Sequence, residues 1–185
     1  MVGIVSKHSQ ILVLAEDTEL QRFVRRYLYE LGYGPHQIRD LPLPGNRGCG
    51  EQWVRERYTK QVKAYRSRSS HVKTALVVAI DTDKGEVADR SRQLREAHQH
   101  AGLAARAAPE EIVHLIPKRS VETWILCLSG TGVDEVEDYS HRRDIGKLIP
   151  LAAETFFAWT RPNITPPALC IPSLAAAIPE ARRLE

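Results

Sequence analysis

Acidic side chains recur where the apolar runs of this chain end. The run at 11–15, ILVLA, leads into Glu16, Asp17 and Glu19. The run at 74–80, TALVVAI, leads into Asp81 and Asp83, and the run at 111–116, EIVHLI, is followed by Pro117 and then Glu122. Carboxylates gathered in one place repel unless a cation lies among them, and hard oxygen donors at this density suit Mg²⁺ or Mn²⁺. Such an ion activates water near neutral pH and neutralises charge building up on phosphorus, which is what phosphodiester cleavage needs. Each acid also has a plainer use. Asp17 and Asp81 are both suited to cap the helix that follows, and only the repetition of acids after buried strands argues for a metal site. Lys118 and Arg119, next to Glu122, are placed to steady a phosphate or else to close a strand in solvent.

Bases are concentrated elsewhere. From 55 to 73, Arg55, Arg57, Lys60, Lys63, Arg66, Arg68 and Lys73 are interrupted by one acid, Glu56. On a helix, Arg55, Lys60, Lys63 and Arg66 give a face for sequence-independent contacts to a nucleic-acid backbone, joined by Arg119; a solvated helix face is the alternative. A second basic group, Arg22, Arg25 and Arg26, follows the first acids.

Other chemistries find no support. The tract at 45–50, GNRGCG, has the glycines of a phosphate-wrapping loop but no Lys-Ser or Lys-Thr after it, so the chain is not itself a P-loop ATPase. His98 and His100 sit two apart in a polar helix and point to different faces, which does not make a zinc site. Cys49, Cys127 and Cys170 form no CxxC pair and no disulfide framework. No G-x-S-x-G elbow occurs.

The elements that must carry these residues alternate. Apolar runs at 11–15, 74–80 and 111–116 read as strands buried on both faces, with a further strand at 37–43 closed by Pro42 and Pro44. Between them, 18–31 repeats apolar residues at helical intervals and stops at Gly32 and Gly34. Residues 51–68, 86–101 and 121–128 also read as helices. Alternating strands and helices predict an α/β fold with a mostly parallel sheet of about four strands. Beyond 129 the character changes: a charged stretch, a helix near 144–159 and a Pro-rich remainder predict a helical appendage (129–185) packed on an α/β domain (1–128).

The ordered set ILVLAEDTELQRFVRRYL, GCGEQWVRERYTKQVKAYRSR, ALVVAIDTD and IPKRSVETWI resembles the Toprim domain shared by topoisomerases, primases and OLD-type nucleases. Within that group it looks most like the small bacterial Toprim-like proteins of the OLD and RloB type. The resemblance runs from Ile11 to about Leu128 and implies a Rossmann-like sheet and a Mg²⁺- or Mn²⁺-dependent nuclease. It makes Glu16 a metal ligand or general acid/base, Asp81 and Asp83 metal ligands, and Glu122 the further acid for a second metal, with Lys118 beside it. It also implies an ATPase partner in phage defence and leaves room for a homo-oligomer. Two differences stand out: Asp17 follows the motif glutamate where the family places glycine, and Gly85 lies one residue nearer the DxD pair.

Two other readings compete. One is a catalytically silent Toprim-fold partner or sensor subunit that binds an ATPase. The other is a receiver domain, which also opens on a buried strand, an acidic pair and an amphipathic helix. A receiver needs its phospho-accepting aspartate about forty residues later, where this chain has the basic segment 55–66. Length and composition agree with an ordinary globular protein: 185 residues, 43% hydrophobic, 26% charged and a formal net charge of +3. No apolar run approaches the roughly 20 residues of a membrane span. The N-terminus lacks a secretory pattern, so the cytoplasm is the expected compartment and a membrane is not an expected partner.

Overall fold

The first strand, β1 (Gln10–Ala15), is buried from Ile11 onward because both faces of the sheet are covered. The structure is a computed structural model and describes residues 8–43 and 50–185, so most of the glycine tract, with Cys49, lies outside the described residues. Helix α1 (Thr18–Glu30) begins at Asp17, whose side chain accepts the Leu20 N–H at 2.8 Å. It ends where Gly32 takes a left-handed φ of 90°, a conformation that costs glycine nothing. A short β2 (Ile38–Asp40), helix α2 (Gly50–Ser69), β3 (Thr74–Ala79), α3 (Val87–His100), β4 (Ile112–Leu115) and α4 (Val121–Leu128) follow in turn.

The four strands form one all-parallel sheet in the order β2-β1-β3-β4. Ala15 pairs with Ala79 and Ala79 with Leu115, so β1, β3 and β4 end level with one another. The protein is thus an α/β fold of Rossmann-like character.

Side chains alternate between two helical layers. Ile11, Val13, Ala15, Ala75, Val77 and Ala79 face α1 and α4, together with α5 (Ile145–Thr160) and α6 (Pro172–Ala181). Leu12, Leu14, Leu76, Val78 and Ile80 face α2 and α3. Helices α5 and α6 share one apolar cluster with α1 and α4. At its centre Phe23, Tyr27, Trp124 and Phe156 pack with ring centroids 4.8 to 6.3 Å apart. Two polar bonds fasten the layer: Trp124 Nε1–H donates to Ser173 Oγ at 2.8 Å, and Tyr27 O–H donates to Thr160 Oγ1 at 3.2 Å.

An exposed strand edge invites pairing with another chain. Here β4 is covered by side chains. His114 N–H donates to Glu180 Oε2 at 2.9 Å, and Arg106 donates to the Ile112 carbonyl at 2.8 Å while pairing with Glu180 through both nitrogens. No described helix is long and apolar enough to cross a membrane.

Candidate metal centre at the sheet switch point

The strand order reverses between β1 and β3, and in an open parallel sheet that crevice, outside the carboxyl ends of the strands, is where ligands bind. Glu16 and Asp81 stand there. The Glu16 backbone continues the ladder, donating to the Ala79 carbonyl at 3.1 Å, and its side chain turns across to accept the Asp81 N–H at 2.9 Å. Asp81 is 5% exposed, and its Oδ1 is buried with no hydrogen-bond partner.

The electrostatics follow from that burial. Desolvation raises the Glu16 carboxyl to about 7; the charges of Asp83 and Asp17 add to the rise, and the Asp81 N–H and Arg90 oppose it. Burial likewise holds Asp81 well above the carboxylate range, reinforced by Glu16, Asp17, Glu122 and Asp83. Asp17 is raised by burial and by Glu122 and Glu19, and held back by the Leu20 N–H that it caps. Carboxyls from three strand ends therefore sense one another. Without a cation, these carboxyls hold their protons more tightly than they would in water.

The loops around the pair are latched. Thr82 N–H donates to the Pro117 carbonyl, Thr82 Oγ1–H donates to the Gly85 carbonyl, and Arg119 N–H donates back to Thr82 Oγ1, tying the turn after β3 to the turn after β4. Both turns hold a non-glycine residue in the left-handed region, Asp83 at φ 53° and Arg119 at φ 69°. Such strain persists only where the surroundings fix it. Lys118 Nζ spans the same two turns to Glu86 Oε2 at 2.8 Å. Glu122 occupies the first turn of α4, where its charge also suits the helix N-terminus.

Two further residues shape the site: Arg90, which no sequence signal singles out, and Gly50, the last glycine of the tract at 45–50. Arg90, 6% exposed, donates from Nε to the Asp81 carbonyl at 3.0 Å and pairs with Glu51 at the start of α2. In the sequence it is one of several arginines on a polar helix. Gly50 opens α2 against Glu16, and a Cβ there would stand 2.6 Å from Glu16 Cγ and 2.8 Å from the Glu16 carbonyl oxygen. Only glycine lets this helix N-terminus approach so closely.

Among the described residues, no three His, Cys, Asp or Glu side chains stand together as a ready-made metal cage. Mg²⁺ rarely uses one. It is commonly held by one or two carboxylates, with waters and substrate phosphates completing its shell. The orphaned Asp81 Oδ1, the mutually raised carboxyls and the all-oxygen donor set fit such an ion. Of the acids, Glu16, Asp81, Asp83, Glu122 and also Asp17 share this edge, and Asp17 in addition caps α1, whereas Asp81 caps nothing: Glu86 occupies the N-cap position of α3.

The bases expected to meet nucleic acid are engaged unequally. Arg66 is held by Glu110 at 2.6 and 3.0 Å and by the carbonyls of Ala104 and Ala105. Arg55 pairs with Glu51 at 3.0 Å. Lys60 and Lys63 are exposed and make no ion pair among the described residues. At 1.5 Å per residue they lie about 15 to 20 Å along α2 from the acidic end. Arg119 is half-buried on the latched turn. An aspartate, Asp81, does follow the strand after α2, but it lies 65 positions beyond Glu16 and is followed by Asp83. Compared with protein-family models, with curated proteins and with solved structures, the chain matches none.

Proposed function

We propose that this protein is a Mg²⁺- or Mn²⁺-dependent phosphodiesterase acting on nucleic acid. The observation that carries the reading is the Glu16–Asp81 pair at the switch point, one carboxylate bonded to the other residue's N–H and the other left with a buried, unpartnered oxygen. Glu16, Asp81 and Asp83, with Glu122, would hold the metal, which when bound polarises the phosphoryl oxygens and lowers the pKa of water.

The chain's own groups do the rest. In the metal-free protein the Glu16 carboxyl is pushed up to about 7 by burial; beside the ion it would serve either as a ligand or as the base that takes a proton from the attacking water. The N-terminus of α2, brought against Glu16 by Gly50, would offer a positive dipole end to a phosphate. Arg119 and Lys118, on the turn latched to Thr82, would meet the same phosphate, Lys118 by leaving Glu86, and Lys60 and Lys63 would extend the contact along α2. From the resemblance we further propose an ATPase partner, with bacterial defence as the setting.

Incubating the protein with supercoiled plasmid and with RNA, in Mg²⁺ or Mn²⁺ and in EDTA, tests the reading. Metal-dependent cleavage that disappears in Asp81→Asn and Glu16→Gln is expected. Cleavage that persists in EDTA or in both variants would refute it. The second reading, a silent partner subunit, draws on the lack of a ready three-ligand group among the described residues. It predicts no cleavage and no metal binding even with a companion ATPase.

A further inference from the structure

A cavity of about 340 Å³ lies beside β4, walled by α2, α3, β4 and α6. None of the acids at the switch point lines it, so it is a place apart from the acidic crevice. The volume is at the lower end of the range for small-molecule sites. Much of its polar wall is already satisfied. Tyr58 and His114 share a 2.8 Å bond between the phenol oxygen and Nε2, and Arg106 and Glu180 are bound to each other and to the edge of β4.

What remains is one face of α3. Ser91, Arg95 and His98 succeed one another at intervals of four and three residues, the spacing that stacks side chains on a helix. His98 is only 2% exposed, and its ring stacks on Tyr58 at 5.1 Å. Its Nδ1 bonds the Ala104 carbonyl at 3.0 Å. A carbonyl can only accept, so Nδ1 carries the hydrogen, and Nε2 presents a lone pair. That Nε2 is buried and has no partner. Burial first, and then the neighbouring Arg66 and Arg106, lowers the affinity of this ring for a second proton against the pull of Ala104 and Glu110. A buried acceptor left unpaired is costly, and a ligand donor that reaches it as the side chains over it shift would relieve it. Arg95 is exposed at the rim and makes no ion pair among the described residues. Val87, Ile116 and Ala177 supply apolar wall.

We propose that this cavity binds a small organic anion, a phosphate or carboxylate no larger than a nucleoside monophosphate, whose charge pairs with Arg95 and whose N–H or O–H donates to His98 Nε2. Arginine's planar fork suits either anion, and a donor-bearing body fills the space behind it.

Calorimetric titration of the full chain in EDTA with adenosine 5′-monophosphate, ribose 5-phosphate and anthranilate separates the phosphate and carboxylate sources. Adenosine and inorganic phosphate serve as the half-ligands. At least one of the three anions is expected to bind, with its half-ligand weaker by tenfold or more. Arg95→Gln should weaken binding roughly 10- to 100-fold. Ala105→Trp, at an exposed position of the wall, should abolish it, and Asp81→Asn should leave it unchanged. Both cavity positions are exposed, so these variants keep the fold. Failure of all three anions to bind, undiminished binding in Arg95→Gln and Ala105→Trp, or loss of binding in Asp81→Asn would overturn the proposal. The last outcome would move the ligand to the acidic site without bearing on cleavage.

Discussion

Burial and crowding by other acids should make ionised Asp81 and Glu16 destabilising in the protein without metal. Glu16 titrates near 4.5 when unfolded and about 7 when folded. The folded state therefore holds its proton more tightly, and stability present below about pH 4.5 is lost as pH rises through 7. Asp81 shifts in the same direction. In EDTA, thermal melting should fall steadily across that window, and Asp81→Asn should melt higher than the native protein at pH 8 while matching it near pH 4. A variant that melts lower at pH 8 would show that the Asp81 carboxylate is held by bonds rather than crowded by charge. These two acids are legible in the sequence because each follows an apolar run that can only be an internal strand. Arg90 and Gly50 are not. Their roles depend on where α2 and α3 start relative to β1, and no local pattern carries that long-range register.

Helix α2 and the edge of β4 put their charges to different uses. Lys60 and Lys63 point to solvent, so changing both to Ala should leave stability within about 0.5 kcal/mol. Nucleic-acid binding should weaken for all sequences, and the slope of log affinity against log salt should fall by about 2. Arg66 lies on the same helix but clamps Glu110 and two carbonyls, so Arg66→Ala should cost about 1 to 2 kcal/mol in urea unfolding and change the salt slope little. The basic periodicity alone cannot separate these residues. The difference arises from the segment after α3, which returns Glu110 to the end of α2. At the sheet edge, Glu180→Ala would remove the ion-pair partner of Arg106 and leave the His114 N–H without its acceptor. A loss of about 2 to 4 kcal/mol is expected, with self-association through the uncovered strand visible by sedimentation. A variant as stable as the native chain and of the same sedimentation would show that the edge needs no cover.

At the scale of the whole molecule, the sheet, its two helical layers and the switch-point crevice form one arrangement. Helices α1, α4, α5 and α6 enclose a single aromatic-centred cluster on one face, and α2 and α3 close the other. The alternation of elements is readable in the sequence because buried parallel strands are short, apolar and bounded by turn residues. The placement of α6 is not, since Leu174 and Ile178 show an apolar stripe without showing that it lies along β4, where Glu180 completes the edge. This scaffold levels the ends of β1, β3 and β4, and so brings acids from distant parts of the chain to one crevice. Phosphodiesterase chemistry there requires the crevice to hold a divalent cation. Isothermal titration with Mn²⁺ tests that requirement most directly: at pH 8 the native protein should bind the ion, with affinity falling as pH drops below about 7 because protons compete for Glu16, and Asp81→Asn should not bind. Equal affinity in the native protein and in Asp81→Asn, or no binding by the native protein at pH 8, would contradict it.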